Sequence, residues 1–385
     1  MKINILKKAS VATMLYVIIN ALFIAKYSAR IIPELSMCIT FCIMILHYIV
    51  ITYTIPYFLQ YTKNYKKYSF CLLAIIICMC ALQYSINPYS IQVDRWSALY
   101  FPIKNLLNGI YPYIAQTHLG GNASPFPIWQ IFHIPFYLLG NVGLSVFFAI
   151  AVFLWSIYYL WGYRKMLFAA SLLLISPAIW YEVAVRSDFI TNILLLTTII
   201  NLLIQKISVD WINKHIWFLG IVIALFASTR LITLIPFSLL LLPFYFKLRT
   251  LNKILLPTIF AITFLLTFLP FAIWDCQDFF YHQNNPWTLQ TRQGNGGDFI
   301  IFIPIATILA YMWKNNIQHY YKYVSIMLFT FIAVTMIHIM VISGNWDLFS
   351  SIFDITYYNS ILPFAIVTII LNGCHTKENT CIYSE

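Results

Sequence analysis

Apolar residues run along this chain in long blocks, broken by short polar stretches. The blocks are about 15–24 residues long, the length a helix needs to cross a ~30 Å hydrocarbon core. Lipid offers no partners for backbone N–H and C=O groups, so such blocks must be helices. The pattern predicts an all-α, polytopic transmembrane helix bundle of about twelve spans, with a range of ten to thirteen. They fall at 9–25, 35–58, 69–86, 142–161, 166–185, 188–204, 216–229, 231–246, 254–274, 298–313, 323–343 and 355–372. No internal repeat or soluble domain interrupts it, so residues 1–385 read as one integral membrane domain. The first block follows Lys2, Lys7 and Lys8 as a signal peptide would. It lacks a small-x-small cleavage site and is expected to stay as a first helix.

One apolar stretch, 126–140, does not fit as a span. It is short and holds Pro135, with Pro125 and Pro127 at its start. It belongs to the longest non-spanning stretch, 87–141, the first large extracytoplasmic loop. Within that loop Val93, Trp96, Leu99, Tyr100, Ile103, Leu106 and Leu107 recur at helical spacing with a polar back. This predicts an amphipathic helix over 92–108, lying on the membrane plane. Residues 126–140 are expected to lie on the surface or re-enter without crossing.

Composition agrees with the pattern: 61% of residues are hydrophobic and 9% charged, against roughly 25% charged in soluble domains. Charge adds orientation. With 126–140 left out, Lys2, Lys7, Lys8, Lys63, Lys66, Lys67, Arg164, Lys165, Lys206, Lys214, Lys247, Arg249, Lys253, Lys314, Lys322 and Lys377 share one side. By the positive-inside rule that side is cytoplasmic, and both termini lie there. Lys26, Arg30, Arg95, Lys104, Arg186, Arg230 and Arg292 fall outside, with most of the acids. The net charge of +11 then reflects anchoring beside anionic membrane lipid, and nucleic acid is not implied. Of the eight cysteines only Cys276 falls clearly outside, so no outer disulfide within one chain is expected.

Several short stretches occur in a telling order: "NGIYPY" at 108–113, "SPFPIWQIFHIPFYLLG" at 124–140, "ISPAIWYEVAVRSD" at 175–188, "ALFASTRLITLIP" at 224–236, "LPFAIWDCQDFF" at 269–280 and "YYNSILPF" at 357–364. With an acidic residue soon after an early span and an amphipathic loop helix, the chain over roughly 87–370 resembles the C-type glycosyltransferase superfamily. It is similar to its bacterial mannosyltransferase-like and aminoarabinose-transferase-like members. The resemblance implies an integral membrane enzyme of the cell envelope. It would transfer a sugar from a polyprenyl-phosphate donor to a glycan, lipid or protein acceptor on the extracytoplasmic face. Polysaccharide polymerases and lipid-linked sugar transporters or flippases share the span count. A transporter is expected to show mid-span polar groups and related halves, and the sequence displays neither.

The chemistry needs a base near the acceptor hydroxyl. Asp94 occupies the position of the family's first-loop acid; its bland alternative is to cap the loop helix. The leaving lipid phosphate needs cations, and Arg suits it through its bidentate fork. Arg95, Arg186 and Arg230 sit at outer helix ends, and Arg230 interrupts an apolar stretch, where charge tends to be functional; snorkelling to the interface is the competing account. Glu182, Arg186 and Asp188 cluster at the second outer loop. They could contact substrate, hold a metal, or leave Glu182 and Arg186 paired at i, i+4. Tyr111 and Tyr113, beside the Gly109 turn, are the aromatic faces chosen for a sugar ring, against an interfacial aromatic belt for the rest. His118 and His133 read as hydrogen-bonding loop residues. A divalent metal stays open, since no diagnostic ligand pattern occurs.

Overall fold

The computed structural model describes residues 10–61, 64–282, 285–291, 296–313, 316–350 and 352–372. Lys2, Lys7, Lys8, Lys63, Arg292, Lys314 and Lys377 lie outside them, and so do both termini, whose cytoplasmic placement rested partly on those charges. Among the described residues the chain is all-helical, with one isolated antiparallel bridge between Gln116 and Asn122. In chain order the principal helices are α1 (Val11–Ile31), α2 (Pro33–Tyr61), α3 (Tyr65–Ser85), α4 (Ser97–Leu107), α5 (Pro127–Leu138), α6 (Val142–Trp161), α7 (Tyr163–Leu174) and α8 (Pro177–Ala184). After them come α9 (Phe189–Ile204), α10 (Ile216–Ala227), α11 (Leu231–Tyr245), α12 (Thr250–Trp274), α13 (Gly296–Met312), α14 (Ile317–Ser343) and α15 (Ile355–Asn372).

Each predicted segment falls on one of these helices or on the α7–α8 pair. Among the described residues length and apolarity carry fewer crossings: seven helices (α1, α2, α3, α6, α12, α14 and α15) can span a membrane alone, and the α7–α8 pair makes an eighth if it counts as one bent span. The remaining apolar helices, α9, α10, α11 and α13, reach about 18–26 Å at 1.5 Å per residue, short of the ~30 Å core. The predicted segments end within a residue or two of the helices except at α1 and α2, which run further; what differs is how many of the helices are long enough to cross alone.

Prolines set several of the irregularities. In α2, Pro56 has no N–H to give to the preceding turn, and the helix widens into a π stretch over Val50–Thr54. Pro177 holds Ser176 in extended backbone, and α7 and α8 meet at 68°. That break frees backbone donors in an apolar setting. Asn20, fully buried on α1, answers one of them: its Oδ1 accepts from Ala178 N at 3.2 Å, and also from the Ser176 hydroxyl at 2.6 Å.

The α15 helix is the axis of the bundle. Its span is 83% buried, and it packs on α1, α7, α9 and α14. The α3 and α12 spans are only 17% and 22% buried and present apolar faces outward, as lipid-facing helices do. Between α3 and α6 the 87–141 segment folds against the bundle. Its amphipathic helix begins at Ser97, five residues later than the pattern predicts, with Trp96, Leu99 and Ile103 packed on Trp129 and Val142. The α5 helix occupies 12 residues of the 126–140 stretch and is not among the helices able to span.

Candidate functional site

Four chain breaks meet at one end of the bundle: the start of α4, the α8–α9 junction, the α10–α11 junction and the start of α15. Arg95, just before α4, reaches across to the other side of the bundle. It donates to Ser187 Oγ at 3.1 Å and makes short contacts with Asp354 and Thr356. Glu182 Oε1 lies 3.9 Å away and accepts from Asn359 Nδ2 at 2.8 Å. Glu182 is fully buried, with Arg95 as the cation nearest to it.

A second ion pair adjoins the first. Arg230 donates to Asp188 Oδ2 at 2.6 Å, and Trp129 Nε1 donates to the same oxygen at 2.6 Å. The side chains are 13% and 3% exposed. The Phe189 ring lies between the two pairs, 6.0 Å from the Arg95 guanidinium carbon and 5.0 Å from that of Arg230. Burial by itself would raise the Asp188 carboxyl. The charge of Arg230 and the hydrogen bonds override it and hold the group below the usual carboxylate range. Asp354 behaves alike: burial opposes ionisation, and Arg95, with Thr356, pulls the group down. His133, buried between Trp129 O and Ser145 Oγ, is pushed down to about 4 by burial and stays neutral at pH 7.

Arg95, Glu182, Asp188 and Arg230 are thus brought together. Asp94 is adjacent in sequence to Arg95 and faces elsewhere. Its Oδ2 accepts from Thr117 Oγ1 at 3.1 Å, and a Cβ on Gly121 would stand 3.0 Å from it. The side chain does not cap α4, whose N-cap is Trp96 without a side-chain bond. Asp94 Oδ1 accepts no hydrogen bond among the described residues. Asp94 makes no ion pair or hydrogen bond with Arg95, Asp188 or Arg230.

Arg186 also stands apart. Its guanidinium donates to the carbonyls of Gln83 at 2.8 Å and Ile86 at 3.1 Å, closing the C-terminal end of α3. The i, i+4 pair with Glu182 is not formed. Tyr111 and Tyr113 are buried in an aromatic cluster with Phe126, Phe268, Phe271 and Phe279. Their hydroxyls donate to Asp275 O at 3.2 Å and Pro125 O at 3.0 Å. Burial raises both phenols. They wall the loop against α12.

Sequence reading missed Asp354, Thr356 and Asn359 as partners of this cluster, and Trp129 as a donor to Asp188. Asp354 was visible as an outer acid. Its pairing with Arg95 spans 259 positions, and nothing local announces it. Among the described residues no group of three or more His, Cys, Asp or Glu is placed to hold a metal ion.

An apolar groove opens beside Arg230. It has a volume of about 130 Å³ and is lined by Phe189, Leu231, Ile232, Phe331, Ile332, Phe353 and Tyr357, with Thr335, Gln290 and Thr291 at its polar positions. No family model, curated protein or solved structure matches the chain.

Proposed function

We propose that this protein is an integral membrane glycosyltransferase. It transfers a sugar from a polyprenyl-phosphate donor to a glycan, lipid or protein acceptor at the extracytoplasmic face. The carrying observation is the apolar groove with Arg230 in its lining. An apolar slot with one cation suits an amphipathic anion, and a lipid phosphate is the membrane ligand of that description. Arg230 Nε is buried without a hydrogen-bond partner, so Asp188 leaves the guanidinium with a donor unsatisfied. The order of motifs along 87–370 supports the same reading.

In the proposed reaction the acceptor O–H attacks the anomeric carbon. The bond from that carbon to the phosphate oxygen breaks, and the phosphate leaves with the electron pair. The acceptor proton passes to Asp94, whose Oδ1 is unspent. Arg230 meets the phosphate, while Asp188 and Trp129 hold Arg230 in place. Arg95 belongs to the clamp that joins α4, α8 and α15, so its share in binding is indirect. The four short apolar helices complete a twelve-span bundle by crossing with the aid of their neighbours, with both termini cytoplasmic.

The break between α7 and α8 favours one alternative, a transporter or flippase of lipid-linked sugar, because transporters place broken helices at their binding sites. A polymerase reading has no comparable support. Thermal unfolding of the purified chain with undecaprenyl phosphate, and with undecaprenol, tests the donor class. The phosphate should stabilise by about 2.7 kcal/mol at a hundredfold excess over its Kd, and the alcohol much less. Equal stabilisation by both would contradict a phosphate site.

A further inference from the structure

A second recess lies across the 116–122 turn from Asp94 and differs in chemistry from the groove at Arg230. It is a cleft of about 190 Å³ between that turn and the segment after α12, lined by Tyr113, Gln116, Asn122, Asp278, His282 and Asn285, with Ile114 at its rim. One water occupies ~30 Å³ in the liquid, so the cleft is larger than a bridging water needs.

The turn explains what faces it. Gln116 and Asn122 pair across the isolated bridge, and Thr117 N donates to Gly121 O at 2.7 Å. Directly opposed residues share a face, and the next pair along takes the other face. Thr117 and Gly121 therefore face Asp94, as their contacts with its Oδ2 record. Gln116 and Asn122 face the cleft. Neither side-chain amide has a hydrogen-bond partner among the described residues, and neither does the Asp278 carboxylate. A side-chain amide both donates and accepts, as a sugar hydroxyl does. A carboxylate accepts from a hydroxyl or an ammonium. Among the described residues no Lys or Arg lines the cleft, so an anionic ligand would stand beside Asp278 without one of these cations to meet it.

We propose that this cleft is a saccharide subsite that takes a unit without negative charge. That unit belongs to the acceptor, one turn's width from the reacting hydroxyl at Asp94. The inference rests on the glycosyltransferase reading. The two recesses then divide the substrates by charge: the lipid phosphate goes to Arg230, and the uncharged or amino-bearing sugar to Gln116, Asn122 and Asp278. An acceptor of several units is implied, because the cleft and Asp94 lie on opposite faces of the turn.

Saturation-transfer NMR on the full chain in detergent, without donor, tests this with three probes: cellotetraose, the chitosan tetramer and tetragalacturonate. The first two should bind at millimolar concentration and the anionic one should not. Gln116→Ala and Asn122→Ala should each weaken cellotetraose about two- to tenfold, the loss of one neutral hydrogen bond. Asp278→Asn should weaken the chitosan tetramer more than cellotetraose. Gln116 is exposed, so its truncation spares folding and keeps the test informative. Failure of both non-anionic probes to bind, tetragalacturonate binding as well as they do, or indifference to all three substitutions would overturn the subsite. Loss of saccharide binding with the undecaprenyl phosphate response kept would sink this inference alone. The reverse pattern would sink the donor reading alone.

Discussion

Asp188 and Arg230 stand 42 positions apart and share one carboxylate oxygen with Trp129. Removing one partner of so buried a pair leaves an uncompensated charge, at a cost of about 3–5 kcal/mol. Arg230→Ala should therefore destabilise the protein by that amount as well as weaken lipid-phosphate binding. Adding Asp188→Asn to it should recover part of the stability and none of the binding. Unfolding titrations on the single and double variants separate the two effects, and a double variant no more stable than Arg230→Ala would contradict the pairing. The pH dependence has a definite sign. The folded carboxyl lies below its ordinary value of about 3.8, so its contribution is present at neutral pH. It is lost as the pH falls below about 4. Asp188→Asn should remove that part of the acid loss, read as the melting temperature between pH 6 and 3. The outer acids and arginines were legible in the sequence as a set. Their pairing was not, because it depends on helices far apart in the chain: Arg95 and Arg186 have the same charge and predicted position, yet one joins the cluster and the other closes a helix end.

At the level of elements, helix breaks bring the site together, but the residues that announce a break lie at others, outside the four that form it. Pro177 after Ser176 marks the α7–α8 bend, and Pro125 and Pro127 mark the start of α5. The least visible device is the junction of α3, α6 and α8. Arg186 adopts φ +54°, unusual for a residue with a side chain, and its guanidinium closes α3. Gly143 lies against it: an added Cβ would sit 2.7 Å from Gln83 Nε2 and 2.8 Å from Arg186 Cβ. Gly143→Ala should cost about 1–3 kcal/mol through overpacking and leave lipid-phosphate affinity unchanged. A loss of affinity without a loss of stability would place Arg186 in the substrate site instead. The blocks and prolines predicted where helices begin. The ends of α9, α10 and α13 were legible as well, within two residues of where the apolar segments stop; what the pattern did not carry is how such short helices are seated in the bundle.

For the whole molecule, sidedness is the first commitment. Reporter fusions at 64, 209, 250 and 318 should report cytoplasm, and those at 115 and 285 the outside; an inside signal at 115 would reverse every later loop. The all-α membrane class followed from hydropathy and composition, because lipid leaves helices almost no alternative. The number of crossings is a finer matter, since several of the apolar helices are shorter than the bilayer is thick and would cross only with the support of their neighbours. The central claim joins this architecture to a reaction. Its most direct test is sugar transfer by the purified full chain in proteoliposomes, with a panel of polyprenyl-phosphate sugars and an envelope-derived acceptor mixture. Wild-type protein should release polyprenyl phosphate and extend an acceptor. Asp94→Asn, which keeps the shape and removes the base, should lower the rate by about 10²–10⁴-fold while lipid-phosphate binding persists. Transfer by Asp94→Asn at the wild-type rate would contradict the account.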